Sequence, residues 1–258
     1  SIMKVVLFAG GRGTRISEES SLRPKPMIEI GGKPILWHIM KLYAAFGHTE
    51  FIICLGYKGW VIKEYFINYF MHNADVTVNL GDNSLQVHQN NAEPFKISLI
   101  DTGLDTMTAG RLKRVLPYVG NETFMLTYGD GVSDVDINAL LEHHKKHQKI
   151  CTMTAIQATS RFGVIEMQED GLINSFEEKP ADSGTWINGG FFVLSPKCIV
   201  FMDSDFTSWE QEPILRIANQ GQLKAFKHEG FWQPMDTYRE HLELNKIWAD
   251  GGAPWKSW

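Results

Sequence analysis

Cysteine is scarce and scattered in this chain. Three residues, Cys54, Cys151 and Cys198, provide neither an even-numbered disulfide framework nor a Cys-x-x-Cys metal spacing. A reducing cytosol is the expected setting. Long apolar runs are missing as well. No stretch approaches the ~18 residues of a membrane span, and no charged-then-apolar leader opens the chain. A cytoplasmic protein without a membrane partner is therefore expected. Basic charge is in deficit, with 25 Lys+Arg against 30 Asp+Glu and a formal net charge of -5. That argues against a general nucleic-acid binder, which would carry a basic face. Internal repeats and low-complexity tracts are absent. Ser1 and Ile2, ahead of Met3, are expected to be a cloning remnant.

What is present suits an α/β protein. Hydrophobic residues make up 43% of 258 positions, enough for a sizeable core. Lys4–Ala9 is a continuous apolar run, the mark of a strand covered on both faces. Ile35, Leu36, Ile39, Leu42, Tyr43 and Phe46 follow at helical spacing, between Pro34 and Gly47. Glu50–Leu55 is a second buried strand, and 59–72 returns to helical spacing. This alternation predicts a doubly wound, Rossmann-like α/β fold with a mixed sheet and added β-hairpins. No linker divides residues 1–258, so a single domain is expected. Within it, three strands at 76–80, 85–89 and 95–101 read as a hairpin insertion with one solvent-facing or partner-facing side. Later elements are strands at 123–128, 151–158, 186–194, 223–228 and 231–233, and a hairpin of 163–167 with 172–177. Helices are expected at 109–116, 137–147, 213–220 and 238–248.

The loop after the first strand carries the chemistry. Ala9-Gly10-Gly11-Arg12-Gly13-Thr14-Arg15 would let main-chain N–H groups face a phosphate. The dinucleotide fingerprint fails, because its sixth position is Ile16 rather than glycine. The ATPase phosphate loop fails at Gly32-Lys33-Pro34, where Ser or Thr should follow the lysine. Arg12, Arg15 and Lys25 instead suit a highly anionic ligand. His143 and His147 share a helical face at a zinc-compatible spacing. No third ligand is near, and a solvated amphipathic helix is the preferred reading.

The run 7–15, followed by Pro24-Lys25-Pro26-Met27, resembles the signature of sugar-1-phosphate nucleotidyltransferases. The resemblance continues at Gly129-Asp130-Gly131, Phe176-Glu177-Glu178-Lys179-Pro180, Asn188-Gly189-Gly190 and Trp232-Gln233-Pro234-Met235-Asp236-Thr237. It covers most of the chain. Gly56-Tyr57-Lys58-Gly59, the insertion and Asp101-Thr102-Gly103 look closest to members that use CTP and glucose 1-phosphate. Those members make CDP-glucose for bacterial surface deoxysugars such as those of lipopolysaccharide O-antigen. The resemblance, not residue chemistry, is what implies CTP. Relatives that take UTP or dTTP commonly have Gln and a Pro-x-Gly-Leu-Ala pattern where this chain has Asp105-Thr106-Met107-Thr108-Ala109-Gly110.

The implied reaction opposes two polyanions. Like charges 4 Å apart cost about 1 kcal/mol in water and about 4 kcal/mol at an intermediate dielectric. The sugar phosphate is already largely dianionic, with a second pKa near ~6. No catalytic base and no covalent intermediate are expected, only alignment and charge stabilisation. The resemblance then implies roles. Arg15 and the Gly10–Thr14 backbone hold the departing phosphates, and Lys25 reaches the α-phosphate. Asp130 and Asp236 are expected to hold Mg²⁺, since a carboxylate among phosphates needs an intervening cation. Lys179 is expected on the sugar phosphate, with Glu178, Gly163 and Asn188 around the hexose. Ala9, Gly10, Gly11, Gly103, Thr108 and Gly110 are expected at the nucleotide. Asp134 and Asp136 are read as helix caps. The aromatic tail 254–258, with the insertion, is read as subunit packing, and the resemblance implies a homohexamer.

Overall fold

A computed structural model describes residues 2–11, 23–157, 161–180 and 184–258; at Phe70, 161–164 and 177–180 it describes the backbone alone. The elements follow the alternation expected. Strand β1 is Lys4–Phe8; short strands β2 (Glu29–Ile30) and β3 (Lys33–Pro34) precede helix α1 (Ile35–Ala45). Strand β4 is Glu50–Leu55, and the expected helix after it is broken at Asn68 into α2 (Gly59–Ile67) and α3 (Tyr69–His72). Asn68 closes the first piece, as a residue that competes for backbone hydrogen bonds tends to do. Strands β5 (Ala74–Asn79), β6 (Ser84–Asn90) and β7 (Lys96–Asp101) lead to α4 (Thr108–Val119), β8 (Phe124–Tyr128), β9 (Gly131–Ser133) and α5 (Ile137–His147). The last part holds β10 (Cys151–Gln157), β11 (Arg161–Met167), β12 (Ile173–Pro180), β13 (Trp186–Leu194), α6 (Glu212–Asn219), β14 (Leu223–Lys227), β15 (Trp232–Pro234) and α7 (Tyr238–Ala249).

Nine strands form one mixed sheet. Strand β1 lies between β4 and β8, with β7 outside β4, and all of these contacts are parallel. Strand β13 turns the sheet antiparallel beside β8 and carries the β11–β12 hairpin and β10, which pairs with β14. Alternation along β1 divides the core. Val5 and Leu7 join helices α1, α5 and α7 on one face, while Val6 and Phe8 join α4 and α6 on the other. With both faces covered, β1 reads as an unbroken apolar run.

Three expectations change here. Of the three insertion strands, only β5 and β6 stand apart as a hairpin; β7 belongs to the main sheet as its edge beside β4. An apolar strand fits either place by pattern, and parallel pairing with β4 decides it. The tail also differs. Trp255 is fully buried on its own chain, and Trp258 packs edge-on to Trp37. Trp255 Nε1 donates to His38 Nδ1 at 3.2 Å, and its ring stacks on Trp248. The aromatic tail is thus covered by an intrachain cluster. Asp136 caps α5 as expected, accepting from the Ala139 N–H, whereas Asp134 lies 2.9 Å from His228 Nε2.

Candidate active site

The parallel strands end at a cavity of about 430 Å³. In open α/β sheets ligands bind beyond the carboxyl ends of strands. Phe8 and Ala9 reach the cavity from β1, Tyr128, Gly129 and Asp130 from β8, and Asn188 to Phe191 from β13. Close chain approach explains a glycine here. A Cβ on Gly129 would stand 2.5 Å from the Phe8 carbonyl oxygen, so a side chain would wedge β1 and β8 apart.

Lys25 is the charged centre of the cavity. Pro24 and Pro26 flank it in a short 3-10 turn, which fixes the origin of its long side chain. The side chain is buried, and Nζ lies 2.5 Å from Asp236 Oδ1 and 3.0 Å from Asp130 Oδ2. Burial opposes the charge, but Asp130 and Asp236 together outweigh it and raise the pKa above the ordinary value. Lys25 is therefore a fixed cation. Asp130 and Asp236 converge on one point with hard oxygen donors, the set that suits magnesium held by one or two carboxylates. Among the described residues, no cluster of three or more His, Cys, Asp or Glu could hold a metal. Ligands beyond these two would come from substrate and water.

Other expected residues divide by position. Ala9, Gly11, Lys25, Thr108, Asp130, Asn188 and Asp236 all line the cavity. Gly10 is buried beside it, where a Cβ would collide with the Arg111 guanidinium at 2.2 Å. Gly103 and Gly110 are not in the cavity wall: the Gly103 carbonyl accepts from Arg111 at 2.9 Å, and Gly110 packs against Asp205. Arg12, Gly13, Thr14 and Arg15 lie outside the described residues. Gly163 pairs with Glu178, and Phe162 with Lys179, in the β11–β12 ladder; the side chains of Phe162, Glu178 and Lys179 also lie outside the described set. The histidines of α5 are not a solvated face. His144 Nδ1 and His147 Nε2 both meet the Thr152 hydroxyl, at 2.8 and 2.6 Å.

Sequence reasoning missed polar residues of the wall, Arg111, Tyr128 and Glu210 among them. Arg111 is buried and donates to Thr102 Oγ1 and to the carbonyls of Leu55, Gly103 and Leu104, joining the loops that follow β4 and β7. Burial lowers its pKa, yet a guanidinium stays charged. Tyr128 and Glu210 line the same cavity and belong to none of the motifs above. Tyr128 directly precedes Gly129-Asp130, which is the only local signal it carries. Glu210 sits in Trp209-Glu210-Gln211-Glu212-Pro213, which reads as a helix start.

A family model described as nucleotidyl transferase matches residues 4–255. The chain is 56% identical over 257 residues to a glucose-1-phosphate cytidylyltransferase of Salmonella typhi, covering 99% of this chain and 100% of that one. It is 45% identical to a probable glucose-1-phosphate cytidylyltransferase of Bacillus subtilis, with the same coverage. A solved UDP-glucose pyrophosphorylase in complex with UDP-glucose matches 97% of this chain and 99% of its own, with a TM-score of 0.76 and 17% identity. That last likeness bears on the fold alone.

Proposed function

The chain belongs to the nucleotidyl transferase family, and from that premise we infer that it is a glucose-1-phosphate cytidylyltransferase. It transfers CMP from CTP to α-D-glucose 1-phosphate, giving CDP-glucose and pyrophosphate. The observation that carries the substrate pair is the 56% identity spread over the whole chain.

The geometry accounts for the chemistry. The sugar phosphate attacks the α-phosphorus in line and needs no base. What it needs is cancellation of charge at the meeting point, and we assign that role to Lys25, whose stiff turn and two carboxylate contacts support it. An ammonium already formed and already held costs no reorganisation at the moment of reaction. Arg111 adds a buried cation at the end of β4, beside Gly10. We assign Mg²⁺ to Asp130 and Asp236, whose carboxylates would hold the ion beside Lys25. When bound, the ion supplies neutralisation of phosphate oxygens. Lys179 and Glu178 are assigned to the sugar phosphate and hexose, with the Asn188 amide in the same pocket; Arg15 and the glycine loop are assigned to the departing pyrophosphate.

Two further assignments follow from the same reading. The product serves surface-polysaccharide deoxysugars, made in the cytoplasm. The exposed β5–β6 hairpin packs against other copies of the chain, a hexamer by resemblance.

Pyrophosphate release measured with each of the four NTPs, glucose 1-phosphate and Mg²⁺ tests the function. CTP should turn over fastest, and EDTA should remove the activity. Equal or faster turnover with UTP would overturn the cytidylyl assignment.

A further inference from the structure

A carboxylate is out of place in a cavity built for two polyanions. Asp130 and Asp236 are explained by Lys25, but Glu210 also lines the wall and comes from the segment before α6. Its contacts define a direction. Thr108 Oγ1 accepts from the Trp209 N–H at 2.7 Å, so its own proton goes to Glu210 Oε2, 3.1 Å away. Glu210 shares the cavity wall with Tyr128, close enough for its carboxylate to hold the proton on the Tyr128 hydroxyl. Asn188 completes the line. The Gly190 N–H donates to Asn188 Oδ1 at 2.8 Å, which identifies the oxygen end of the amide. Asn188 Nδ2 therefore faces Tyr128 Oη, at 3.1 Å. An amide nitrogen only donates, so Tyr128 accepts there and its single proton is left for Glu210.

We propose that Glu210 is a positioning residue for the hexose: by taking the Tyr128 proton it makes Tyr128 an acceptor, which locks Asn188 with one N–H free for a sugar oxygen. The idea deepens the proposed function and rests on its assignment of Asn188 to the hexose. Burial, and then the Glu210 charge, push the Tyr128 phenol well above its ordinary pKa, so the proton in question is retained throughout the working range. Without Glu210 the Tyr128 hydroxyl would turn to the Asn188 oxygen and compete with Gly190 for it. The amide would lose one of its two restraints. A sugar acceptor would then meet a donor only part of the time.

The test is steady-state kinetics on glucose 1-phosphate and on its deoxy and deoxyfluoro analogues at each hydroxyl. Fluorine keeps an acceptor and hydrogen does not. At the hydroxyl that Asn188 faces, the wild type should prefer fluorine to hydrogen by about tenfold in kcat/KM, roughly one hydrogen bond. In Glu210→Ala and in Tyr128→Phe that preference should shrink to about twofold. KM for glucose 1-phosphate should rise about tenfold while KM for CTP stays within about twofold. The double variant should be no worse than either single one. Glu210→Gln, whose amide oxygen can accept, should recover part of the loss. Thermal melting confirms that each variant is folded. A fluorine preference unchanged in Glu210→Ala overturns the relay, as does an equal rise in both KM values. If Asn188→Ala leaves KM for glucose 1-phosphate unchanged, the assignment of Asn188 falls and the relay with it. If Asn188→Ala raises KM and Glu210→Ala does not, the relay alone is wrong. A wild type with no turnover of glucose 1-phosphate overturns both.

Discussion

Lys25 condenses the argument at the scale of one residue. Its ammonium is held by two carboxylates that arrive from distant parts of the chain, at Asp130 and Asp236. Lys25→Met keeps the stem and removes the charge. The two carboxylates then face each other and the phosphates with one cation fewer. Loss of a single preorganised charge-stabilising group typically costs about 10²–10³ in rate, and kcat should fall by about that much. The fold should survive, because both carboxylates keep more than a third of their side-chain surface in water. Retention of more than about a tenth of wild-type kcat, measured by pyrophosphate release, would remove Lys25 from the chemistry. This centre was legible in the sequence because each member sits in a short motif with its own turn residues. Glu210 was not. Its meaning comes from Thr108, 102 positions away, and from Tyr128 and Asn188, and no local pattern records such distant partners.

Helix α5 shows the same limit at the scale of an element. Its span was readable from hydrophobic periodicity and the Asp136 cap, and it was found at 137–147. The state of its histidines was not, because the helical pattern does not say what β10 offers in return. The Lys149 N–H donates to His147 Nδ1, which puts the His147 proton on Nε2, facing Thr152. Thr152 then donates to His144 Nδ1, so both rings are neutral. Burial holds His144 at about 4 and His147 at about 3, each also lowered by its neighbouring histidine. The sign follows directly. Unfolded histidine takes a proton near ~6.5, so between that pH and about 4 the unfolded chain binds more protons than the folded one. Stability is full above this window and falls as the pH drops through it. His144 alone should cost about 2–3 kcal/mol across the window. Urea unfolding at pH 7 and pH 4.5 measures this, and in His144→Leu the difference between the two pH values should shrink by about 2 kcal/mol. An undiminished difference would mean that His144 is not the group that titrates. Strand β7 repeats the lesson, since its apolar residues marked a strand but left open which sheet would take it.

At the scale of the whole molecule, most of the chain covers its own apolar surface. Trp255 and Trp258 do so against Trp37, His38 and Trp248, which withdraws the tail as a reason for association. The β5–β6 hairpin is different. Val76 pairs with Val87 and Val78 with Leu85, so all four side chains share one face of a two-stranded ribbon. The opposite face carries Thr77 and His88, hydrogen-bonded to each other. Among the described residues no second layer covers the apolar side, where the four residues remain 38–57% exposed. A lone two-stranded ribbon is marginal in water, and a patch of this kind marks a protein contact more often than a free surface. A second copy is the partner that the proposed function supplies. One charge at the centre of the ribbon should be enough to prevent that contact, because Asp in a desolvated apolar interface cannot be paired there. In sedimentation velocity, wild type should run as an assembly several times the 29.3 kDa chain, and Val78→Asp as a smaller species with the same helix content by circular dichroism. A wild type that sediments as a single chain, or a Val78→Asp assembly of unchanged size, would leave the ribbon without this role.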